Sequence, residues 1–231
     1  MNNSAGGFPS KRTAGCLVAV GIVLATLGGL VFHVPAFYVE RSAAAGAAET
    51  EQLARRMMTK ASSLYAAVKR PGSWETAFSD REANAWLAVD LPRNHGRLLP
   101  RGCADPRVRF GPKRLTAAVR VGPPILSAVA WVELDVELRD VNQLGIVVAD
   151  ARLGAIPIPR GPILRKVAET AESIGLFVDF RRLDGRPMLV VYIPSASAAG
   201  AVSCRLESFA IAEGEVLAAG ETRRTAGVAG R

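Results

Sequence analysis

Apolar positions along this chain follow three periodicities in turn. From Ala14 to Phe32 nothing is charged, and only Thr26 is strongly polar. Those 19 residues are long enough for a helix to cross a hydrocarbon layer of about 30 Å. Between Glu49 and Arg70 the spacing changes to threes and fours, at Leu53, Met57, Ala61, Leu64 and Val68. That is one stripe of an amphipathic helix, ended by Pro71-Gly72. Ser79 followed three residues later by Glu82 has the form of a capping box. It opens a second helix over about 80–90, with Ala83, Trp86 and Leu87 as its inner face and Pro92 as its stop.

The pattern then becomes alternating. Val108 and Phe110 alternate with arginines, and Leu115, Ala117, Val119 and Val121 follow the Gly111-Pro112 turn. Val132, Leu134, Val136 and Leu138 alternate with Glu133, Asp135, Glu137 and Arg139, the cleanest period-2 run in the chain. A further strand is expected at 145–153. Gly161-Pro162 opens an amphipathic helix carrying Ile163, Leu164, Val167, Ala168, Ala171 and Ile174 on one side, closed by Gly175. Asp184-Gly185 reads as a hairpin turn between strands at 177–183 and 187–193. The second of these, from Met188 to Ile193, is apolar on both faces, so it should be an interior strand covered from both sides. A last pair is expected at 202–211 and 215–219 around Glu213-Gly214. The order predicts an α+β fold: an N-terminal transmembrane helix, then a twisted, mostly antiparallel sheet with an amphipathic helix packed across it.

Charge gives the first run an orientation. Lys11 and Arg12 stand immediately before it and favour a cytoplasmic N-terminus, although Arg41, Arg55 and Arg56 follow on the far side. Its ten large apolar residues favour insertion by roughly 3–6 kcal/mol at about 0.3–0.6 each. A cleaved signal peptide is the rival reading, with Ala43-Ala44-Ala45 as the cleavage site, but the apolar core is longer than such segments carry. Gly21, Ala25 and Gly29 recur at four-residue spacing, as a helix–helix seam does, though small residues are common in membrane helices. The chain therefore divides into a cytoplasmic tail (1–13), an anchor with its outer flank (14–39), a juxtamembrane helix (40–72), an extracytoplasmic α+β domain (73–219) and a disordered tail (220–231). The net charge is +8. Without Lys11, Arg12 and the tail residues Glu221, Arg223, Arg224 and Arg231, the middle of the chain carries 24 positive against 20 negative charges. That mild +4 suits proximity to anionic lipid and is too weak to argue for nucleic acid.

Candidate chemistry is sparse. Only His33 and His95 are present, which leaves no multi-histidine metal site, and no Cys-x-x-Cys, Walker loop, dinucleotide fingerprint or nucleophile elbow occurs. His95, Cys103 and Asp105 have the residue types of a base, nucleophile and orienter, in a loop that fixes no geometry for them. Cys103 and Cys204 are expected as separate thiols, with a disulfide between them the alternative in an oxidising compartment. Glu133, Asp135 and Glu137 read as a solvated strand face that pairs across strands with Arg114 and Arg120. No cofactor and no catalytic activity are expected. Residues 93–120 carry eight basic side chains against the single acid Asp105. Arg93, Arg97 and Arg101 there are the candidate lipid headgroup contacts, against the plainer reading of a solvated loop. Trp131 shares a strand side with the acidic Glu133 and Asp135, so it is expected either at a bulge or covered, with core packing under a helix preferred over a ligand or partner.

The stretch Phe78-Ser79-Asp80-Arg81-Glu82-Ala83-Asn84-Ala85-Trp86-Leu87 resembles the S/T-x-x-E-x-N-x-x-L helix opening of YpmS-like and LmeA-like membrane-anchored bacterial envelope proteins. Leu153-Gly154-Ala155-Ile156-Pro157-Ile158-Pro159 and the closing hairpin 206–216 are similar to theirs. The Ala-rich 40–70 helix and the Arg-rich 93–114 connection depart from that pattern. The resemblance implies an extracytoplasmic, non-enzymatic domain binding lipid between helix and sheet. Trp86, Trp131, Leu164, Val167 and Ala171 are then the expected ligand-binding residues, and membrane lipid the expected partner. The alternative is a structural or assembly protein acting on an envelope protein partner.

Overall fold

Every strand pairing in the computed structural model, which describes residues 29–42, 46–123, 125–195 and 202–225, is antiparallel, and the fold is α+β. The helices are α1 (Ala36–Ser42), α2 (Ala47–Ala67), α3 (Asp80–Asn94) and α4 (Arg160–Ser173). The strands are β1 (Gly72–Ser79), β2 (Cys103–Gly111), β3 (Arg114–Val121), β4 (Ala128–Asp140), β5 (Gln143–Leu153), β6 (Ile156–Pro157), β7 (Phe177–Leu183), β8 (Arg186–Tyr192), β9 (Val202–Ala212) and β10 (Glu215–Arg224). Most of the anchor expected at 14–32 lies outside the described residues. Among those described, no helix is long and apolar enough to cross a membrane.

Two sheets form where one was expected. The larger runs β2-β3-β4-β5-β8-β7, with β6 paired to β5, and the smaller runs β1-β10-β9. One face of the large sheet carries α4. Leu164 and Ala168 pack there on Leu134, Val148, Ala151, Leu189 and Val191. The opposite face of β8 packs Met188 and Val190 with Val147. Leu189 is wholly buried and Val190 nearly so, so this strand is covered on both sides, as its unbroken apolar run requires. The hairpin at Asp184-Gly185 and the turn at Glu213-Gly214 close where expected.

Several boundaries differ, for identifiable reasons. Pro92 does not stop α3, because it removes only its own N–H bond and His95 N still donates to Leu91 O at 2.9 Å. The buried residues of α3 include the polar Asp80, Glu82 and Asn84, while Ala83, Trp86 and Leu87 are half-buried. That polar face is hydrogen-bonded rather than greasy: Asn84 Nδ2 donates to Val108 O (2.7 Å) and its Oδ1 accepts from Val108 N (2.8 Å). The side-chain amide thereby continues the ladder of β2 at the sheet edge. The capping box is complete, and Lys60 of α2 donates to Glu82 (2.7 Å) and Ala77 O (3.0 Å), tying α2 to α3. The chain from Gly220 to Arg224, expected as disordered tail, continues β10 against β9 and β1. Gly220 is required there, because a side chain at this position would run into the Arg205 carbonyl and the Trp74 ring.

Candidate functional site

The small sheet meets the large one at the β4–β5 turn. Asn142 occupies that turn with φ of 61°, a left-handed conformation that asparagine tolerates. It is buried, and all its polar groups are used: Nδ2 donates to Cys204 O (2.9 Å), Oδ1 accepts from Leu206 N (2.5 Å), its own N donates to Leu206 O (3.3 Å), and its O accepts from Ile193 N (2.9 Å). A polar residue with every group satisfied fixes one arrangement of the two sheets.

Beside this junction lies a cleft of about 400 Å³. Its walls come from distant parts of the chain: Leu64 from α2 with Val68 and Lys69 after it, Trp74 from β1, Leu144 from β5, Ile193 and Pro194 after β8, Val202, Cys204, Leu206 and Phe209 from β9, and Ala218 from β10. Among the described residues Lys69 is the one charged lining residue, exposed, with its ammonium 3.8 Å from the centre of the Tyr65 ring. Trp74 is half-buried, and its indole N–H finds no acceptor among the described residues. A buried donor without a partner costs about 1–3 kcal/mol unless something supplies an acceptor. The volume lies within the range of small-molecule sites, about 300–1,000 Å³. An apolar interior with one cation at its rim suits an acyl chain bearing an anionic head.

A second groove, about 900 Å³, runs past the β2–β3 and β7–β8 turns. It is lined by Lys113, Arg114, Asp135, Glu137, Asp184 and Arg186 among others. Arg114 reaches Asp135 and Glu133, each at 2.8 Å, so part of this charge is matched within the protein, as the strand pattern predicted. Arg120 pairs instead with Asp105, because the register sets it opposite Ala104 and Val129 and away from the acidic positions. This groove is larger, but its apolar wall (Val136, Leu138, Val147, Leu183 and Ile211) is interleaved with charged side chains, whereas the cleft beside Asn142 is almost wholly apolar.

The expected ligand residues do not gather at either cleft. Leu164 and Ala171 are buried under α4, with Val167 half-buried against the same core. Trp86 is half-buried in α3, its ring 5.8 Å from that of His95. Trp131 packs, as Phe37 does, against the cluster of Tyr38 of α1 with Ala118 and Val129, and its indole N–H donates to Gly154 O at 3.0 Å. Arg93, Arg97 and Arg101 are all exposed, and Arg93 pairs with Glu51 at 3.3 Å. His95, Cys103 and Asp105 have separate surroundings: His95 faces Asp90 at 3.5 Å, and Asp105 pairs with Arg120. Cys103 and Cys204 are separate thiols. What the sequence reading missed is Trp74. The alternation of Trp74, Thr76 and Phe78 with Glu75 and Ala77 is the signal that would have found its strand.

Compared with known protein families, curated proteins and solved structures, the chain matches none.

Proposed function

We propose that this chain is a membrane-tethered, extracytoplasmic binding module without catalytic activity, which holds an acyl chain in the cleft between its two sheets. The observation that carries the reading is the cleft itself, lined almost wholly by apolar side chains, with Lys69 the one charged residue at its rim among the described residues. Trp74 adds an aromatic face to the apolar wall. The apolar run at 14–32 supplies the tether and Lys11-Arg12 its orientation. Ser79, Glu82 and Asn84, which carry the family resemblance, cap and dock α3, so the ligand reading rests on the cleft rather than on that motif. The site is therefore placed between the sheets, away from the α4 face where the resemblance implied it.

Native mass spectrometry of the full chain released from detergent tests this. The wild type should carry a phospholipid or fatty acid, and Ala218→Phe, which fills the cleft from β10, should lose it while melting at a similar temperature. Equal lipid on both proteins would mean that the lipid sits elsewhere. None on either would favour the scaffold reading, in which the domain acts on an envelope protein.

A further inference from the structure

The chain entering the domain is fastened to one end of the large sheet. Residues 29–31 are helical, and Ala155 N donates to Leu30 O at 2.8 Å. Gly154, at the turn after β5, lies directly under the Leu30 and Val31 carbonyls, where any side chain would collide. Gly154 N in turn donates to Val129 O at 2.7 Å, and Tyr38 Oη donates to Asp105 O at 2.8 Å. The last residues of the expected anchor, Leu30 and Val31, and Tyr38 after it are thus tied to the sheet end where β5 finishes, β4 begins and β2 begins.

The β3–β4 loop lies at that same end, since Val121 pairs with both Cys103 and Ala128. Two hydrogen bonds shape it, Gly122 N to Gly102 O and Leu126 N to Pro123 O, both 2.9 Å. At its tip Ile125 is 98% exposed and Leu126 63%. Leu98, in the turn leading into β2, is 68% exposed. Beside them Arg97 and Arg101 are exposed, with no ion pair within 4.0 Å among the described residues. Large aliphatic side chains in water next to uncompensated arginines are the composition of a surface that seats in the headgroup region of an anionic bilayer.

We infer that the β3–β4 loop is a membrane wedge: Ile125 and Leu126 insert into the interface of the bilayer that the anchor crosses, with Arg97 and Arg101 on anionic headgroups. This rests on the anchored reading, because the tether is what brings this end of the sheet to the membrane. The domain is then held in one orientation, standing on that end. The β9–β10 turn points away, since Gly214 N donates to Phe110 O at the far end of the sheet (2.8 Å). The eight residues of β3 separate the two ends by about 25 Å at about 3.3 Å per residue.

The test uses the full chain in phosphatidylcholine–phosphatidylglycerol vesicles, with Cys16, Cys103 and Cys204 replaced by Ala. A polarity-sensitive fluorophore is placed at Ile125→Cys or, separately, at Glu213→Cys. Alkaline carbonate extraction reports the anchor independently of the loop. With the protein retained, the label at 125 should be blue-shifted, quenched by nitroxide lipids and shielded from aqueous iodide, while the label at 213 should show the reverse. Retained protein whose label at 125 is as open to iodide as that at 213 overturns the wedge and leaves the anchor standing. Protein released by carbonate overturns both.

Discussion

Asn142 and Glu82 hold the two junctions on which the cleft's walls depend. Replacing Asn142 by Ala leaves Cys204 O and Leu206 N without partners and puts alanine in a left-handed turn. A loss of about 2–4 kcal/mol is expected in denaturant unfolding, mostly from the unsatisfied buried groups. Glu82 is different because it titrates. Burial pushes its carboxyl pKa up, but hydrogen bonds from Lys60 and Ser79 together outweigh that and leave it below the ordinary carboxylate value. A depressed folded-state pKa gives stability that is fully present above the unfolded value of about 4.3 and is lost as pH falls from there through the lower folded value. Glu82→Gln should therefore lower stability at neutral pH and flatten the acid limb of a pH–stability curve; an unchanged limb would mean the pair with Lys60 contributes nothing. The capping role of these residues was legible, since Ser79 and Glu82 sit three apart before an apolar run. Asn142 was not, because its partners lie more than fifty residues away.

Among the elements, α4 was legible as an amphipathic helix across a sheet because its stripe is local, although Ile174, read as part of that stripe, lies past the last turn and is exposed. Whether that stripe covers a ligand or a core was not legible, since both demand the same apolar residues. The structure places Ala171 buried at the base of the helix, where Ala171→Leu should cost about 1–3 kcal/mol of strain. The same variant should keep its bound lipid, because the cleft lies elsewhere. Loss of lipid with no change in melting temperature would return the site to α4. Strand positions with clean alternation, such as 132–138, were also legible, and so were the turns at Asp184-Gly185 and Glu213-Gly214. β1 escaped notice because it lies between a helix stop and a capping box, and its partner β10 comes at the other end of the chain. Long-range pairing of this kind leaves no mark within a short window. The same cause hid residues 220–224, whose Gly, Thr and Arg read locally as tail but which are held by β1 and β9.

For the whole molecule, the second sheet is what the sequence withheld and what makes the site. The cleft draws on six separate segments, from Leu64 to Ala218, so no local motif encodes it. Its apolar lining gives the central claim a direct test. Trp74 is one of three tryptophans, and neither Trp86 nor Trp131 lines the cleft. In the full chain carrying Trp86→Phe and Trp131→Phe, the remaining emission reports on Trp74 alone. Titration with a phospholipid brominated on one acyl chain should quench that emission saturably, and Ala218→Phe should abolish the quenching. Emission of Trp74 that stays unchanged, or quenching that neither saturates nor responds to Ala218→Phe, would contradict an acyl chain in the cleft.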